Sequence, residues 1–118
     1  MNDHPIPVDI RLHKRSRVLE LTFDDGAHFE LSCEYLRVHS PSGDVRARRG
    51  DAGILISGKR DVAIEEIKMV GQYAIKLYFD DGHNSGLYDW RYLYELGSQS
   101  EEKWQHYLER LEKDGATR

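Results

Sequence analysis

FDDGHNSGLYDW, residues 79–90, contains the end of a strand, a turn signal and the start of a helical period. The segment before it, YAIKLYF (73–79), alternates apolar and polar side chains, which is the period of a half-buried strand. Asp-Asp-Gly at 80–82 then predicts a two-residue hairpin turn, because Asp-Gly tolerates positive φ angles. From Tyr88 onward the apolar period is that of a helix. We therefore predict a strand, a tight turn, a returning strand and a helix.

A near copy of this stretch, FDDGAHFEL, occupies residues 23–31. The alternating segments around it, VDIRLH (8–13), VLELTF (18–23) and AHFELS (27–32), predict an antiparallel meander. Tyr35-Leu36 follows the first copy much as Tyr92-Leu93 follows the second. A duplication and shared hairpin chemistry both account for this similarity. We favour shared chemistry, because alternation followed by Asp-Asp-Gly is a common way to build a hairpin.

Three segments have helical signals. SCEYLRVHSP (32–41) begins with a capping residue and ends at a proline, so we predict a short helical turn. In YDWRYLYELG (88–97) the final glycine suits a C′ cap. In SQSEEKWQHYLERLEKDG (98–115), Ser98 and Glu101 have the spacing of a capping box. An apolar stripe in this last segment is expected to pack on the domain or on a second copy; it comprises Trp104, Tyr107, Leu108 and Leu111.

These elements predict an α+β fold, a small and mostly antiparallel β domain with short helices, the longest at the C-terminus. We place the domain at residues 6–97, followed by a C-terminal amphipathic helix and tail at 98–118. The last three residues are expected to fray.

Composition excludes several classes of protein. The chain has 118 residues, enough for one core, and a net charge of −4, which argues against general binding to nucleic acid or anionic membranes. Its single cysteine, Cys33, permits no intrachain disulfide. No apolar run approaches the ~20 residues that span a bilayer, and the N-terminus lacks the apolar segment of a signal peptide. We therefore expect a cytoplasmic protein without membrane contact.

The candidate chemical groups have competing interpretations. The paired aspartates at 24–25 and 80–81 are expected to serve the turns rather than bind a cation. His83, after the second turn, either orders that turn by hydrogen bonding or binds metal with Cys33, His28 or His39. We expect Cys33 to be a buried structural thiol. A basic cluster is interpreted as solvated, with phosphate or nucleic-acid binding as the alternative; it comprises Arg46, Arg48, Arg49 and Lys59.

EYLRVHSP (34–41) and VGQYAIKLYFDDGHNSGLYDWRYL (70–93) together resemble the gamma-butyrobetaine hydroxylase-like N-terminal domain, over roughly residues 6–97. The resemblance implies three settings. One is a stand-alone bacterial protein without an assigned activity. Another is the N-terminal part of iron- and 2-oxoglutarate-dependent hydroxylases, where the domain binds zinc and helps dimerisation. The third is fusion to a P-loop ATPase of iron–sulfur cluster delivery.

The resemblance also implies zinc ligands, three cysteines and one histidine. At the matching positions this sequence has Ser40, Ser42, Val45 and His83, so one ligand of four remains and we predict no zinc there and no cofactor. A chain of 118 residues leaves no room for the hydroxylase domain. We expect neither that domain nor its iron-binding triad of two histidines and one carboxylate.

We predict a non-catalytic small binding or adaptor domain, with a link to iron–sulfur cluster or cofactor metabolism that the family fusions imply. The alternative is a metal-binding protein that uses His83 with other histidine or cysteine residues. The expected partner is another protein, or a second copy in a homodimer. The expected contact residues are His83, Asn84, Ser85, Tyr88 and Trp90, with Tyr35, Arg37, Ser40 and Pro41 from the first motif.

Overall fold

A computed structural model describes residues 5–41 and 56–118 of the chain. The strands are β1 (Pro7–His13), β2 (Val18–Phe23), β3 (His28–Ser32), β4 (Ile64–Val70), β5 (Ala74–Phe79) and β6 (Leu87–Asp89), and the helices are α1 (Cys33–Val38), α2 (Trp90–Ser98) and α3 (Ser100–Asp114). They form two three-stranded antiparallel sheets, in the orders β1-β2-β3 and β4-β5-β6. The predicted α+β class is confirmed. The predictions made for Ser42, Val45, Arg46, Arg48 and Arg49 lie outside the described residues.

The two central strands, β2 and β5, supply most of the core. Alternate side chains of each strand point inward, as the period-2 pattern predicted. Each of these side chains is at most 3% exposed, and all belong to one apolar cluster: Leu19, Leu21, Phe23, Ile75, Leu77 and Phe79. Burying each contributes about 2 kcal/mol, so this shared core holds the two sheets together.

Each Asp-Asp-Gly turn has three residues, so the prediction of two-residue turns is wrong. In the first turn the amide of Phe23 donates to the carbonyl of Ala27 (2.8 Å), and the amide of Gly26 donates to the carbonyl of Phe23 (3.0 Å). The glycine has φ 91°, and Gly82 of the second turn has the same value. In each turn only the glycine adopts positive φ. This is a type I turn followed by a left-handed glycine.

Helices α1 and α2 begin in the same way. The side chain of Ser32 accepts a hydrogen bond from the amide of Tyr35 (3.0 Å), and that of Asp89 accepts one from the amide of Tyr92 (2.7 Å). Both are N-caps, in which a short polar side chain satisfies a free amide of the first turn. The repetition of strand, turn, strand and cap therefore extends into the helices.

Gly97 does not end α2, and this prediction is wrong. The glycine is buried inside the helix, and a Cβ atom at this position would collide with the ring of Phe29. Its role is to let α2 approach β3 closely. The predicted capping box is wrong as well, because Ser98 is the last residue of α2. Helix α3 has Gln99 as its N-cap, with no side-chain hydrogen bond.

Helix α3 packs on its own chain. Tyr107 and Leu111 are buried and form a small apolar cluster with Val38 of α1, with Trp104 and Leu108 packed against it. The helix ends at Gly115, with φ 70°. At the C-terminal end, the guanidinium of Arg118 donates twice to the buried carboxylate of Glu34, at 3.1 and 2.8 Å. The apolar stripe thus faces the domain.

Within residues 5–41 and 56–118, none of the helices combines the length and apolar character that crossing a bilayer requires.

Candidate functional site

Asp81 lies at the centre of an ionic cluster around the second turn. Its Oδ2 accepts from Nε of Arg37 at 2.8 Å and lies 2.7 Å from Nζ of Lys59. Its Oδ1 accepts from the backbone amide of His83 at 3.0 Å. The carboxylate side chain is 19% exposed and that of Arg37 is 12% exposed, so water screens this pair only partly. The cluster joins α1 to a turn of the second sheet.

The cluster keeps Asp81 ionised. Partial burial opposes the charge, but the hydrogen bonds from Lys59, the His83 amide and Arg37 outweigh it and lower the pKa of Asp81 to about 2. All of its hydrogen bonds thus go to groups that favour the carboxylate. Such a carboxylate is a structural ion, because it is ill suited to hold a proton near neutral pH.

His83 forms a hydrogen bond to Ser40 rather than to a metal-ligating side chain. Its Nε2 lies 2.7 Å from the Oγ of Ser40, which is fully buried. Gly86 covers the serine so closely that a Cβ there would collide with the hydroxyl. Burial and the positive charge of Arg37 lower the pKa of His83, so the ring is neutral at pH 7. These contacts support the interpretation that His83 orders the turn.

The residues at the implied zinc site do not fit zinc. Ser40 stands in place of a cysteine thiolate, and its hydroxyl is a poor zinc ligand at neutral pH. The Nε2 of His83 lies beside that hydroxyl rather than beside a thiolate or carboxylate. The other two positions lie outside the described residues. Of the two described positions, only His83 is a zinc ligand, and the absence of zinc there stays a prediction.

The alternative metal site around His83 does not form among the described residues. In residues 5–41 and 56–118, the group of three or more His, Cys, Asp or Glu donors that lie close together does not include His83, Cys33 or His39. Cys33 is buried, which raises the pKa of its thiol. The Nδ1–H of His39 donates to the carbonyl of Tyr35 at 2.9 Å. Cys33 thus belongs to the apolar core, and His39 caps the end of α1.

Four of the expected contact residues are not on the surface, and this part of the prediction is wrong. Tyr35, Ser40, Pro41 and Tyr88 are buried, and Tyr88 is completely inaccessible. The hydroxyl of Tyr88 donates to the carbonyl of Leu36 at 2.6 Å. A buried tyrosine is favourable here because its hydroxyl donates a hydrogen bond to a carbonyl near the end of a short helix.

The remaining expected residues do not form one surface. Asn84 and Ser85 are exposed beside the turn, and the guanidinium of Arg37 is turned toward Asp81. Trp90 instead lines a separate cleft. A contact surface at His83, Asn84 and Ser85 stays a prediction.

The first turn has a counterpart of the Asp81 cluster. Asp25 accepts from the amide of Ala27 through Oδ1 (2.9 Å) and from the hydroxyl of Tyr94 through Oδ2 (2.7 Å). Tyr94 belongs to α2, whereas Arg37 of the other cluster belongs to α1. Each helix thus contacts the second aspartate of the turn in the opposite half. The expectation that hairpin chemistry alone explains the similarity is therefore incomplete.

The first aspartate of each turn has a different partner. The Oδ1 of Asp24 accepts from the amide of Ile6 (3.2 Å), and the Oδ1 of Asp80 accepts from the amide of Ala63 (3.1 Å). Each donor lies just before the strand that pairs with the turn's own strand. Both carboxylates of each pair are therefore used structurally, as the turn interpretation predicted.

A cleft of about 330 Å³ lies where the N-terminal strand meets the second sheet. It is lined by Pro5, Ile6, Gln72, Tyr73, Asp89, Trp90 and Arg91. Sequence reasoning found only Trp90 among these residues. The sequence pattern did not reveal the cleft, because Tyr73 shares the alternation of the buried Ile75 and Leu77 and yet is 57% exposed.

The sequence of residues 10–94 matches the family described as gamma-butyrobetaine hydroxylase-like, N-terminal. The chain belongs to this family. The family resemblance carried by the YLRVHSP and FDDGHNSGLYDW motifs is therefore confirmed, with bounds close to the predicted 6–97.

Solved structures of similar proteins share this family fold. Two NMR solution structures are 43% and 44% identical, cover 98% and 100% of this chain and 90% and 88% of their own, and have TM-scores of 0.84. A crystal structure of a protein of unknown function from Acidithiobacillus ferrooxidans, of the DUF971 family, is 39% identical with a TM-score of 0.64. It covers 76% of this chain and 90% of its own. No curated protein matches the chain.

Proposed function

We propose that this chain is a non-catalytic domain that binds another protein through the cleft between Ile6, Tyr73 and Trp90. The observation that carries the proposal is the exposure of large side chains around one concave surface. Tyr73 is 57% exposed and Ile6 is 37% exposed. Tyrosine, tryptophan and arginine are the residues most often found at the energetic centres of protein interfaces.

The indole of Trp90 is held in place before any partner arrives. The indole N–H of Trp90 donates to the carbonyl of Gln72 at 2.9 Å, and its backbone amide donates to the carbonyl of Tyr73 at 3.1 Å. Trp90 also packs against the main core. A partner that binds here orders few side chains, which lowers the entropic cost of association.

The charge of the cleft defines the chemistry of the partner. The guanidinium of Arg91 is exposed and makes no ion pair with any residue of 5–41 or 56–118. The carboxylate of Asp89 is engaged by the amide of Tyr92 (2.7 Å). A free positive charge beside exposed apolar side chains favours a protein segment that carries an apolar side chain next to a carboxylate.

The non-catalytic part of the proposal rests on the strongly perturbed groups. Asp81 is ionised and fully engaged, His83 is neutral and bonded to Ser40, and Cys33 is buried with a raised thiol pKa. In each case burial or a structural contact accounts for the shift of the pKa. The link to iron–sulfur cluster or cofactor metabolism stays a prediction from the family resemblance alone.

Binding can be measured with the two tryptophans as internal reporters. A set of synthetic 12-residue peptides, each with one Trp, Phe or Leu followed by two Glu, is titrated into ¹⁵N-labelled protein. We expect saturable shifts of the Trp90 indole N–H signal and none of the Trp104 indole signal. Peptides with Gln in place of Glu should bind at least about tenfold more weakly, because the Arg91 interaction is lost.

Matched variants test the same surface. Tyr73→Ala and Arg91→Glu should each abolish the shift, whereas Arg15→Glu, an equal charge change in the exposed turn before β2, should not. A peptide-independent change of the Trp90 signal with protein concentration would identify a second copy as the occupant and reject the proposed partner class. The proposal is also rejected if no acidic apolar peptide shifts the signal, or if Arg91→Glu binds as the wild type does.

A further inference from the structure

The outward face of the first sheet carries two histidines and two glutamates side by side. Glu20 lies in the central strand β2, and Glu30 is its direct neighbour in β3. His28 precedes Glu30 by two positions, so both point to the same face. His13 lies on β1. The two oxygens of Glu20 contact the two imidazoles, with Oε1 2.7 Å from Nε2 of His13 and Oε2 2.7 Å from Nε2 of His28.

The ligand atoms of three of these residues converge. One donor atom each from Glu20, His28 and Glu30 lies within 4.8 Å of the other two. Four donors around a zinc ion lie roughly 3.4 Å apart, because each is about 2.1 Å from the metal. The side chains are partly exposed and can therefore adjust by the remaining distance, with side-chain exposures of 25% for Glu20 and 45% for His28.

The charges on this face leave a place for a cation. Glu20 and Glu30 are directly opposite each other, an arrangement of like charges that destabilises a strand pair. Arg11 lies opposite Glu20 on the other side, but its Nε pairs with Asp9 at 2.7 Å.

We propose that this face binds a divalent transition-metal ion, with Glu20, His28 and Glu30 as ligands and His13 as a fourth donor. Imidazole nitrogens combined with carboxylate oxygens suit Zn²⁺ and its neighbours in the first transition series. Mg²⁺ and Ca²⁺ prefer oxygen ligands alone and are disfavoured by two imidazoles. The site shares no residue with Ser40 and His83 or with the Trp90 cleft.

The local sequence of β3 places two of the proposed ligands together. His28, Phe29 and Glu30 form a His-x-Glu sequence, and alternation places its two ligands on one face. The contribution of Glu20 depends on the register between β2 and β3, which the sequence alone does not reveal. The proposal concerns binding of a metal and no oxygenase reaction.

Isothermal titration of the untagged chain with ZnCl₂ at pH 7.5 tests the proposal. We expect one equivalent to bind, and His28→Ala and Glu30→Gln to raise the Kd at least about tenfold each. His106→Ala, which removes an exposed histidine of α3, should leave the Kd unchanged. MgCl₂ and CaCl₂ at the same concentration should not compete.

A second readout separates binding from loss of folding. Zinc should raise the Tm of the wild type and of His106→Ala, but not that of either ligand variant, and each variant should show wild-type circular dichroism without metal. Histidine ring signals of residues 13 and 28 should shift on titration, and that of residue 83 should not. The proposal would be overturned if no zinc bound, since the cluster would then contain only histidine–glutamate hydrogen bonds. It would be overturned equally if zinc bound with the same Kd to Glu30→Gln, or if His83→Ala abolished binding.

Discussion

Tyr35 and Tyr92 occupy equivalent positions in the two halves of the chain, and the hydroxyl of each donates to a carbonyl in the other half. Tyr35 donates to Leu96 at 2.7 Å, and Tyr92 donates to His39 at 2.5 Å. Leu96 lies near the end of α2, the helix that contains Tyr92. His39 directly follows α1, the helix that contains Tyr35. Each helix therefore supplies a hydrogen-bond donor to a carbonyl at the C-terminal end of the other. The last carbonyls of any helix lack a partner within that helix.

Removal of either hydroxyl should destabilise the fold. Tyr35→Phe leaves the Leu96 carbonyl without its buried donor, and we expect a loss of about 1–2 kcal/mol in the free energy of unfolding. Tyr92→Phe should cost about 1 kcal/mol, because its bond is only part-buried. Urea denaturation measures both. Tyr73→Phe, at an exposed position, should stay within about 0.5 kcal/mol of the wild type, and an equal loss there would contradict the assignment.

The two turn aspartates should differ in importance. Asp81→Asn removes the charge that compensates Arg37 and Lys59, and we expect a loss of about 2 kcal/mol. Asp25→Asn, its equivalent, loses a hydrogen bond to a tyrosine and should cost less. The pair of variants is its own control, since both keep the bond to the turn amide. Equal losses in urea denaturation would show that the ion pairs add nothing.

The loss of stability in acid should depend on the same carboxylate, that of Asp81. The folded pKa of Asp81, about 2, is below its ordinary value of 3.8, so its ionised form stabilises the folded state above pH 4. This contribution is lost as the pH falls from about 4 to 2. In Asp81→Asn the free energy of unfolding should decline less steeply over that interval, and an unchanged slope would refute the role assigned to Arg37 and Lys59.

Substitution of Gly97 by alanine should destabilise α2 despite the better helix propensity of alanine. The new methyl group would collide with the Phe29 ring, and relieving this overlap costs about 1–3 kcal/mol. Phe29→Leu in the same chain should recover part of the loss. Ser98→Ala, the next residue of the helix and exposed, serves as the control. A stabilised Gly97→Ala would show that α2 and β3 are farther apart than described.

The stability of the fold should depend on pH through His39. Burial lowers the pKa of this imidazole to about 4 from the ordinary 6.5, so the unfolded chain takes up the proton first as the pH falls. Stability should therefore decrease between pH 6.5 and 4, at up to about 1.4 kcal/mol per pH unit. His39→Asn, which retains a donor for the Tyr35 carbonyl, should reduce this slope in urea denaturation.

Two further results bear on the His39 prediction. The slope should fall rather than vanish in His39→Asn, because burial also lowers the pKa of His83. Gln105→Asn introduces the same side chain at an exposed, non-titrating position and should leave the slope unchanged. A wild-type slope in His39→Asn would mean that another group titrates in this interval.

The strands were predictable from the sequence because their alternation reports burial directly. Leu19, Leu21 and Phe23 lie on one face of β2, and a single period describes them. Ser32 and its following helix were also predictable, since a cap and its amide are close in the sequence. Local patterns of this kind carry their structural meaning within a few residues.

The site residues were less predictable because their partners are far along the chain. Arg37 and Asp81 are 44 residues apart, and Asp25 and Tyr94 are 69 apart. Tyrosine is common at protein interfaces, so the sequence alone makes Tyr88 a candidate contact residue. Only the fold shows that its hydroxyl donates to the buried carbonyl of Leu36. A glycine such as Gly97 has two common uses, a helix cap and a close contact, which the sequence does not distinguish.

The reciprocal contacts have a consequence for the order in which the protein is made. The first hairpin is synthesised early, yet the hydroxyl that completes its Asp25 turn belongs to Tyr94, and the acceptor of Tyr35 belongs to Leu96. Both partners emerge from the ribosome only when most of the chain exists. The N-terminal half therefore cannot complete these two hydrogen bonds until residues 94–96 have been synthesised and have left the ribosome.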